Sequence, residues 1–315
     1  MRACWAALAA AGLLCAALLA AGGQTAPPAP GAVKSDEPAQ FNMNVTRVSM
    51  LFTVTDKQGR FVTDLAKEDF EIMENRRPQA ILEFAAKSDL PLRMGVLVDT
   101  SNSIRDRFRF EQEAATDFVT RVLHPHVDKV MVVGFDTTAQ LASDLVDDPE
   151  KAARAIVALR PGGGTALYDA IYYACRDKLG LDQPKHDFRR AIVILSDGDD
   201  NQSRYTRDQA LERAQKDDVV VYAISTNISR IESDGDKVLK YLTSQTGGTA
   251  YFPFKVEDMA QGFENIANEL RHQYNIAYSP EPLATDGLFH EVQLRVKRRK
   301  DLVVRARAGY YALKM

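Results

Sequence analysis

Two rhythms of apolar and polar residues divide this chain. From Arg47 to Thr55 the residues alternate, with Val48, Met50, Phe52 and Val54 on one face and Arg47, Ser49, Thr53 and Thr55 mostly on the other. That period of two predicts a half-buried strand, and Asp56-Lys57-Gln58-Gly59 after it predicts a hairpin turn. A β-rich stretch continues past Phe70 and Ile81 to about Pro91. From Arg93 the rhythm changes to short apolar runs separated by segments of helical period. The runs predict strands at Met94–Val98, Val130–Phe135, Ala191–Leu195 and Val219–Ile224. The segments between and after them predict helices at Ile104–Leu123, Pro149–Leu159, Ala166–Leu179, Arg207–Lys216, Asp236–Ser244 and Val256–His272. Asp148 before Pro149 supplies a cap and a first-turn proline for one of these. Strands apolar on both faces need cover on both faces, which predicts an α/β fold with a doubly wound, mostly parallel sheet.

After Tyr274 the alternation returns, Val292, Leu294 and Val296 against Gln293, Arg295 and Lys297. Arg298 to Asp301 then turns the chain and Leu302 to Ala308 runs back. These strands are too few to form a stable sheet alone, and the β-rich stretch before Arg93 has the same shortage. The two halves are therefore expected to pair in one small β-sandwich, residues 42–91 giving the first half and 274–315 the second. The α/β domain, residues 92–273, is inserted between them.

Composition adds little about partners. At 315 residues and a net charge of −3, nothing global points to nucleic acid, and no nucleic-acid partner is expected. The basic cluster Arg295–Arg307 has no interleaved aromatics for stacking on bases and reads as a solvated hairpin face. The N-terminus says more. Met1-Arg2, the Ala/Leu-rich run Cys4–Ala21 and the small residues Ala20 to Gly23 make residues 1–23 a secretory signal peptide. The chain is thus expected to be exported, to the periplasm or outside the cell, and to touch a membrane only if that segment stays uncleaved as an anchor. Leu14 before Cys15 argues against a lipid-attachment cysteine. Residues 24–41, rich in Pro and Ala, read as a linker. Cys4 and Cys15 leave with the signal, so Cys175 alone remains and no intramolecular disulfide is possible. Cys175 shares a helical face with Leu167 and Ile171 and is expected in the core. Export without disulfides fits a bacterial envelope.

The candidate chemistry lies where strands end. In open α/β sheets ligands sit beyond the carboxyl ends of the strands. Asp99 occupies such a place, and Ser101 and Ser103 follow at two-residue steps. Asp197 ends a second apolar run, in AIVILSDGDDN, and Pro161–Ala170 brings Thr165 to a helix start through three glycines. Hydroxyls and carboxylates, all oxygen donors, suit a hard cation, Mg²⁺ or else Mn²⁺ or Ca²⁺. No Cys or His is adjacent, which argues against zinc. Asp199, Asp200 and Asn201 read as a polar rim, and Asp169 as a first-turn acid favouring a helix N-terminus.

Asp99-x-Ser101-x-Ser103, Thr165 after a glycine loop and Asp197-Gly198 after an apolar strand together resemble the metal-ion-dependent adhesion site of von Willebrand factor type A domains. The resemblance covers about Arg93 to Gln273, and the flanks resemble exported acidobacterial proteins of that type. It implies that Ser101, Ser103 and Thr165 touch the metal while Asp99 and Asp197 act largely through water and hydrogen bonds. It further implies a non-enzymatic adhesion or protein-binding module whose metal takes an Asp or Glu carboxylate of a protein ligand. Two other readings stand beside it. One is a metal-dependent phosphotransfer or hydrolase enzyme on a related fold, although Ser101 stands where a second Asp is expected and the glycine loop lacks lysine. The other is an envelope module whose cation only stabilises the fold.

Overall fold

The apolar runs in the middle of the chain lie side by side in one sheet. The computed structural model describes residues 47–314 apart from 106, 228, 230, 256 and 257, so the signal and linker expectations lie outside the described residues. Four strands come first: β1 (Val48–Thr55), β2 (Phe70–Glu74), β3 (Arg77–Gln79) and β4 (Ile81–Ala85). The central strands are β5 (Leu92–Asp99), β6 (Lys129–Phe135), β7 (Ala139–Val146), β8 (Arg189–Ser196), β9 (Val219–Ser225) and β10 (Ala250–Tyr251). They form a six-stranded sheet in the order β10-β9-β8-β5-β6-β7. All neighbours are parallel except β7, which runs antiparallel to β6. This is the expected doubly wound, mostly parallel α/β architecture.

Helices α1 (Phe108–Val122), α2 (Pro149–Ala158), α3 (Leu167–Ala174), α4 (Arg207–Lys216), α5 (Asp234–Thr246) and α6 (Met259–Arg271) cover the sheet. Met94, Val96 and Val98 of β5 pack with α1, α2 and α6, while Leu97 packs with α3, α4 and α5. A strand buried at every position thus serves two cores, because successive side chains point to opposite faces. Cys175 lies in the second core with no exposed surface, and burial pushes its thiol well up.

Several boundaries differ from the pattern reading. A 3₁₀ turn at Asn102–Ile104 takes the expected start of α1, and Cys175–Leu179 closes α3 as a π turn. Ser233 caps α5 two residues earlier than expected, its hydroxyl accepting from Asp236 N at 3.0 Å. Asp148 does cap α2, accepting from Glu150 N and Lys151 N. Strands β7 and β10 escaped the reading altogether. At the sheet edge β7 buries only Ser143, so its sequence carries no apolar run, and β10 has two residues.

The remaining strands are β11 (Tyr274–Tyr278), β12 (Phe289–Val296), β13 (Val303–Ala306) and β14 (Gly309–Tyr311). They join the first four in two four-stranded antiparallel sheets, β13-β1-β11-β4 and β14-β12-β2-β3. Each sheet takes strands from both sides of the central one, and their inner faces share one core. Phe52 stacks on Tyr274 with ring centroids 5.2 Å apart and meets the edge of Phe70 at 5.1 Å. The buried Glu74 carboxylate accepts from Tyr278 Oη at 2.7 Å and Tyr310 Oη at 3.1 Å. The basic cluster is only partly a solvated face. Arg295 is exposed, but Arg307 pairs with Asp218 at the foot of β9 and donates to Ser49 O at 2.8 Å, and Arg305 lies 3.6 Å from Glu269 of α6. Among the described residues no helix is long and apolar enough to cross a membrane.

Phe52 joins strands from both ends of the chain. Phe52→Ala is expected to cost about 3–5 kcal/mol in urea unfolding, the usual loss for a buried aromatic; a loss below ~1 kcal/mol would mean that the two sheets do not depend on this contact.

Candidate metal centre

Asp99 is the last residue of β5 and has no exposed surface. A buried carboxylate must be met by donors. Ser101 N donates to Oδ1 at 2.8 Å and Ser196 Oγ donates to Oδ2 at 2.7 Å. The first bond bends the chain into a turn immediately after β5. The second ties that turn to the end of β8. Ser196 Oγ in turn accepts from Gly198 N at 3.0 Å, which fixes the start of the loop carrying Asp197. Gly198 has φ +83°, and a Cβ there would stand 2.2 Å from the Gly235 carbonyl oxygen, so only glycine fits.

These constraints bring three of the expected residues together directly. Ser101 Oγ and Ser103 Oγ are 2.9 Å apart, and Ser103 Oγ donates to Asp197 Oδ2 at 3.1 Å. Ser101 is buried, Ser103 exposed and Asp197 partly exposed, so the chain of oxygens runs from the sheet end to the surface. Thr165 arrives differently. Among the described residues its hydroxyl makes no hydrogen bond to the other four, and its loop is held by backbone. Gly162 N donates to Thr100 O at 2.6 Å and Asn102 N to Gly163 O at 3.3 Å. Thr165 N donates to Asn201 Oδ1 at 3.0 Å, and Thr165 O accepts from Asn201 N and Gln202 N, both at 3.0 Å.

The polar rim proves to be a clamp. Asp200 Oδ2 accepts from Tyr168 N at 3.0 Å at the start of α3. Asp169 does more than favour a helix end, since its Oδ1 accepts from Arg204 N at 2.8 Å and Tyr205 N at 2.9 Å. Ser196, Asn201 and Asp200 thus position the candidate donors, and nothing in their local spacing marked them for it.

Among the described residues no three His, Cys, Asp or Glu side chains gather so as to hold a metal ion. A cation here would therefore depend on hydroxyl ligands. The donor set fits one, because the clustered atoms are all hard oxygens and carry two carboxylates for charge. Burial raises Asp99 to about 6 despite the donors on it, with Asp197 adding repulsion.

Comparison with known proteins agrees with this architecture. Residues 94–199 match the family model of the von Willebrand factor type A domain. The match runs from β5 to the loop after β8 and so contains all five candidate residues. No curated protein matches the sequence. Among solved structures the chain is similar to proximal thread matrix protein 1 from the mussel byssus, at 17% identity and TM-score 0.50. That alignment covers 63% of this chain and 51% of the mussel protein, about half its length. A further structure of the mussel protein, with a zinc-occupied metal-ion-dependent adhesion motif, aligns at 17% identity and TM-score 0.50, over 63% of this chain and 50% of that one. An aerotolerance-related membrane protein from Bacteroides fragilis aligns at 16% identity and TM-score 0.45, over 56% of this chain and 99% of its own.

Beneath these candidate residues lies an acid that the pattern reading missed. Glu111 of α1 has no exposed surface, and among the described residues neither carboxylate oxygen has a hydrogen-bond partner. Burial raises it to about 8; Arg107 opposes the rise, and the charges of Asp99 and Asp197 add to it. The signal was available, since Glu111 occupies the buried face of α1 with Phe108, Ala115, Phe118 and Val122.

Because the folded pKa of Glu111 exceeds its ordinary 4.5, the folded state holds the extra proton between those limits. Without divalent cation, stability should fall as pH rises from about 4.5 to about 8 and then level off. Glu111→Gln keeps the neutral shape, and chemical denaturation should show it flattening the slope between pH 6 and 8 and adding on the order of 4 kcal/mol at pH 8. An unchanged slope would mean that this carboxylate is hydrated or paired.

Proposed function

We propose that the chain is an exported, non-enzymatic protein-binding module that recognises an acidic residue of a protein ligand through a bound divalent cation. Ser101, Ser103 and Thr165 supply neutral oxygens to Mg²⁺ (or Mn²⁺ or Ca²⁺), and Asp99 and Asp197 supply charge largely through water and hydrogen bonds. The observation that carries the reading is the run of oxygens from Ser101 to Ser103 to Asp197, joined across two strand ends at 2.9 and 3.1 Å, with the Asp99 carboxylate buried behind it. When bound, the cation supplies a positive centre for a partner's Asp or Glu. The chain's own part is to keep the directly bound ligands uncharged, so that this attraction is not cancelled inside the site. Zinc in the corresponding motif of the mussel protein supports cation binding as such, without fixing which metal this chain takes.

Export and a place in the bacterial envelope rest on the N-terminal sequence alone, as does the condition that only an uncleaved segment would reach a membrane. We also read the domain plan as a type A domain over 92–273 between sandwich halves 42–91 and 274–315. The module is read as binding rather than catalytic because Ser101 stands where phosphoryl transfer would place a second carboxylate.

Calorimetric melting with and without Mg²⁺ tests the site. Cation at 100 times its Kd should add about 2.7 kcal/mol to wild type and nothing to Ser103→Ala or Asp99→Ala. Pull-down from envelope extract tests the use. Capture should vanish in EDTA and in Ser103→Ala. A cation that raises the melting temperature while EDTA spares capture would leave only a structural role.

A further inference from the structure

The chain crosses between the central sheet and the sandwich twice, through residues 86–91 and through residues 271–273, at the end of the sheet away from Asp99. A cavity of about 810 Å³ opens between the two crossings. Ser88 N donates to Gln273 O at 3.1 Å, and the Arg189 guanidinium ties the first crossing to the end of α6, donating to Leu90 O at 2.8 Å and Leu270 O at 2.6 Å. The walls are thus fixed by hydrogen bonds rather than left to loop packing. Ser88 lines the cavity, is 8% exposed, and among the described residues its hydroxyl has no partner. Gln273, bonded to it through the backbone, likewise has a buried side-chain oxygen with no partner among the described residues. Orphaned polar atoms are rare in folded chains and ask for water or a ligand.

The rest of the lining narrows the choice. Lys87, Arg189 and Arg271 face Asp89 and Asp128, leaving one positive charge in excess. The Asp128 carboxylate is already taken, accepting from Leu92 N at 2.7 Å and His124 N at 2.9 Å. Leu92, Val122, Val127 and Leu270 give an aliphatic wall. A concave apolar surface of this volume with a few convergent polar groups is the usual form of a small-molecule site, and such sites favour the junction of two structural parts.

We propose that this cavity binds an amphipathic organic monocarboxylate, with its head on Ser88, Arg189 and Arg271 and its apolar body along Leu92, Val122 and Val127. The site is separate from the candidate metal centre, since it lies at the opposite ends of β5 and β6 and contains none of the five oxygen donors.

Titration calorimetry of the full chain in EDTA, with decanoate below its micelle threshold, tests the proposal. One decanoate should bind per chain, and decanol, which has no charge, should bind about tenfold more weakly. Arg271→Glu, at an exposed residue, and Ser88→Val should each weaken decanoate by about tenfold while keeping the wild-type circular dichroism spectrum. The second variant keeps the proposal testable if the first fails to fold. Absence of binding to the folded wild type would overturn it, as would wild-type affinity in both variants, which would mean that the orphaned hydroxyl holds only water. Binding that requires divalent cation would also overturn it, by placing the carboxylate on the metal centre instead.

Discussion

A carboxylate without exposed surface ends the central strand, and much of the site follows from how it is satisfied. Asp99 cannot be left bare in that position. The Ser101 N–H meets one of its oxygens, so the chain must turn at once after β5, and the turn carries Ser101 and Ser103 over the sheet end. The Ser196 hydroxyl meets the other, which ties the ends of two adjacent parallel strands together. Through Gly198 the same hydroxyl also directs the loop that holds Asp197. One buried charge therefore sets the relative position of two loops that are 94 residues apart at the Ser103–Asp197 bond.

That arrangement concentrates negative charge. Asp99 and Asp197 flank the serines, and Glu111 lies below them, among apolar side chains of the first core. In water such groups would repel weakly, but removal from solvent both strengthens the repulsion and disfavours the ionised forms. Acids placed this way are poor at holding their charge. The Thr165 loop contributes through backbone bonds to residues 100, 102 and 201, so its place depends on the shape of its neighbours more than on its own side chain.

The two antiparallel sheets solve a separate problem. The strands on either side of the central domain could not form a sheet alone, yet together they bury Phe52, Phe70 and Tyr274 in one core. Because each sheet takes strands from both flanks, the two ends of the inserted segment are held side by side. Arg189 and Arg307 reinforce the junction with charged donors, one on the crossings and one between β1 and the foot of β9.

Much of this was legible in the chain. The four central strands carry apolar residues at nearly every position because both faces are covered, and that density shows without any structure. The alternation at Val48–Val54 and Val292–Val296 likewise marked strands with one buried face. The edge strand β7 was not legible, since an exposed edge needs no apolar run. Glu111 reads locally as an ordinary helical acid, and only its place on the apolar face betrays it. Arg307 was taken for surface charge because a carboxylate partner in another part of the fold leaves no mark on its neighbours. By itself, then, the sequence determined the apolar central strands and most of the helices, and it named candidate oxygen donors, all of which depend on spacing along a few residues. Only the tertiary structure decided that Ser103 meets Asp197, that the Thr165 loop is held by its backbone, and that Arg307 reaches Asp218. Those outcomes depend on hydrogen bonds and burial between distant segments, whose energies no local pattern records.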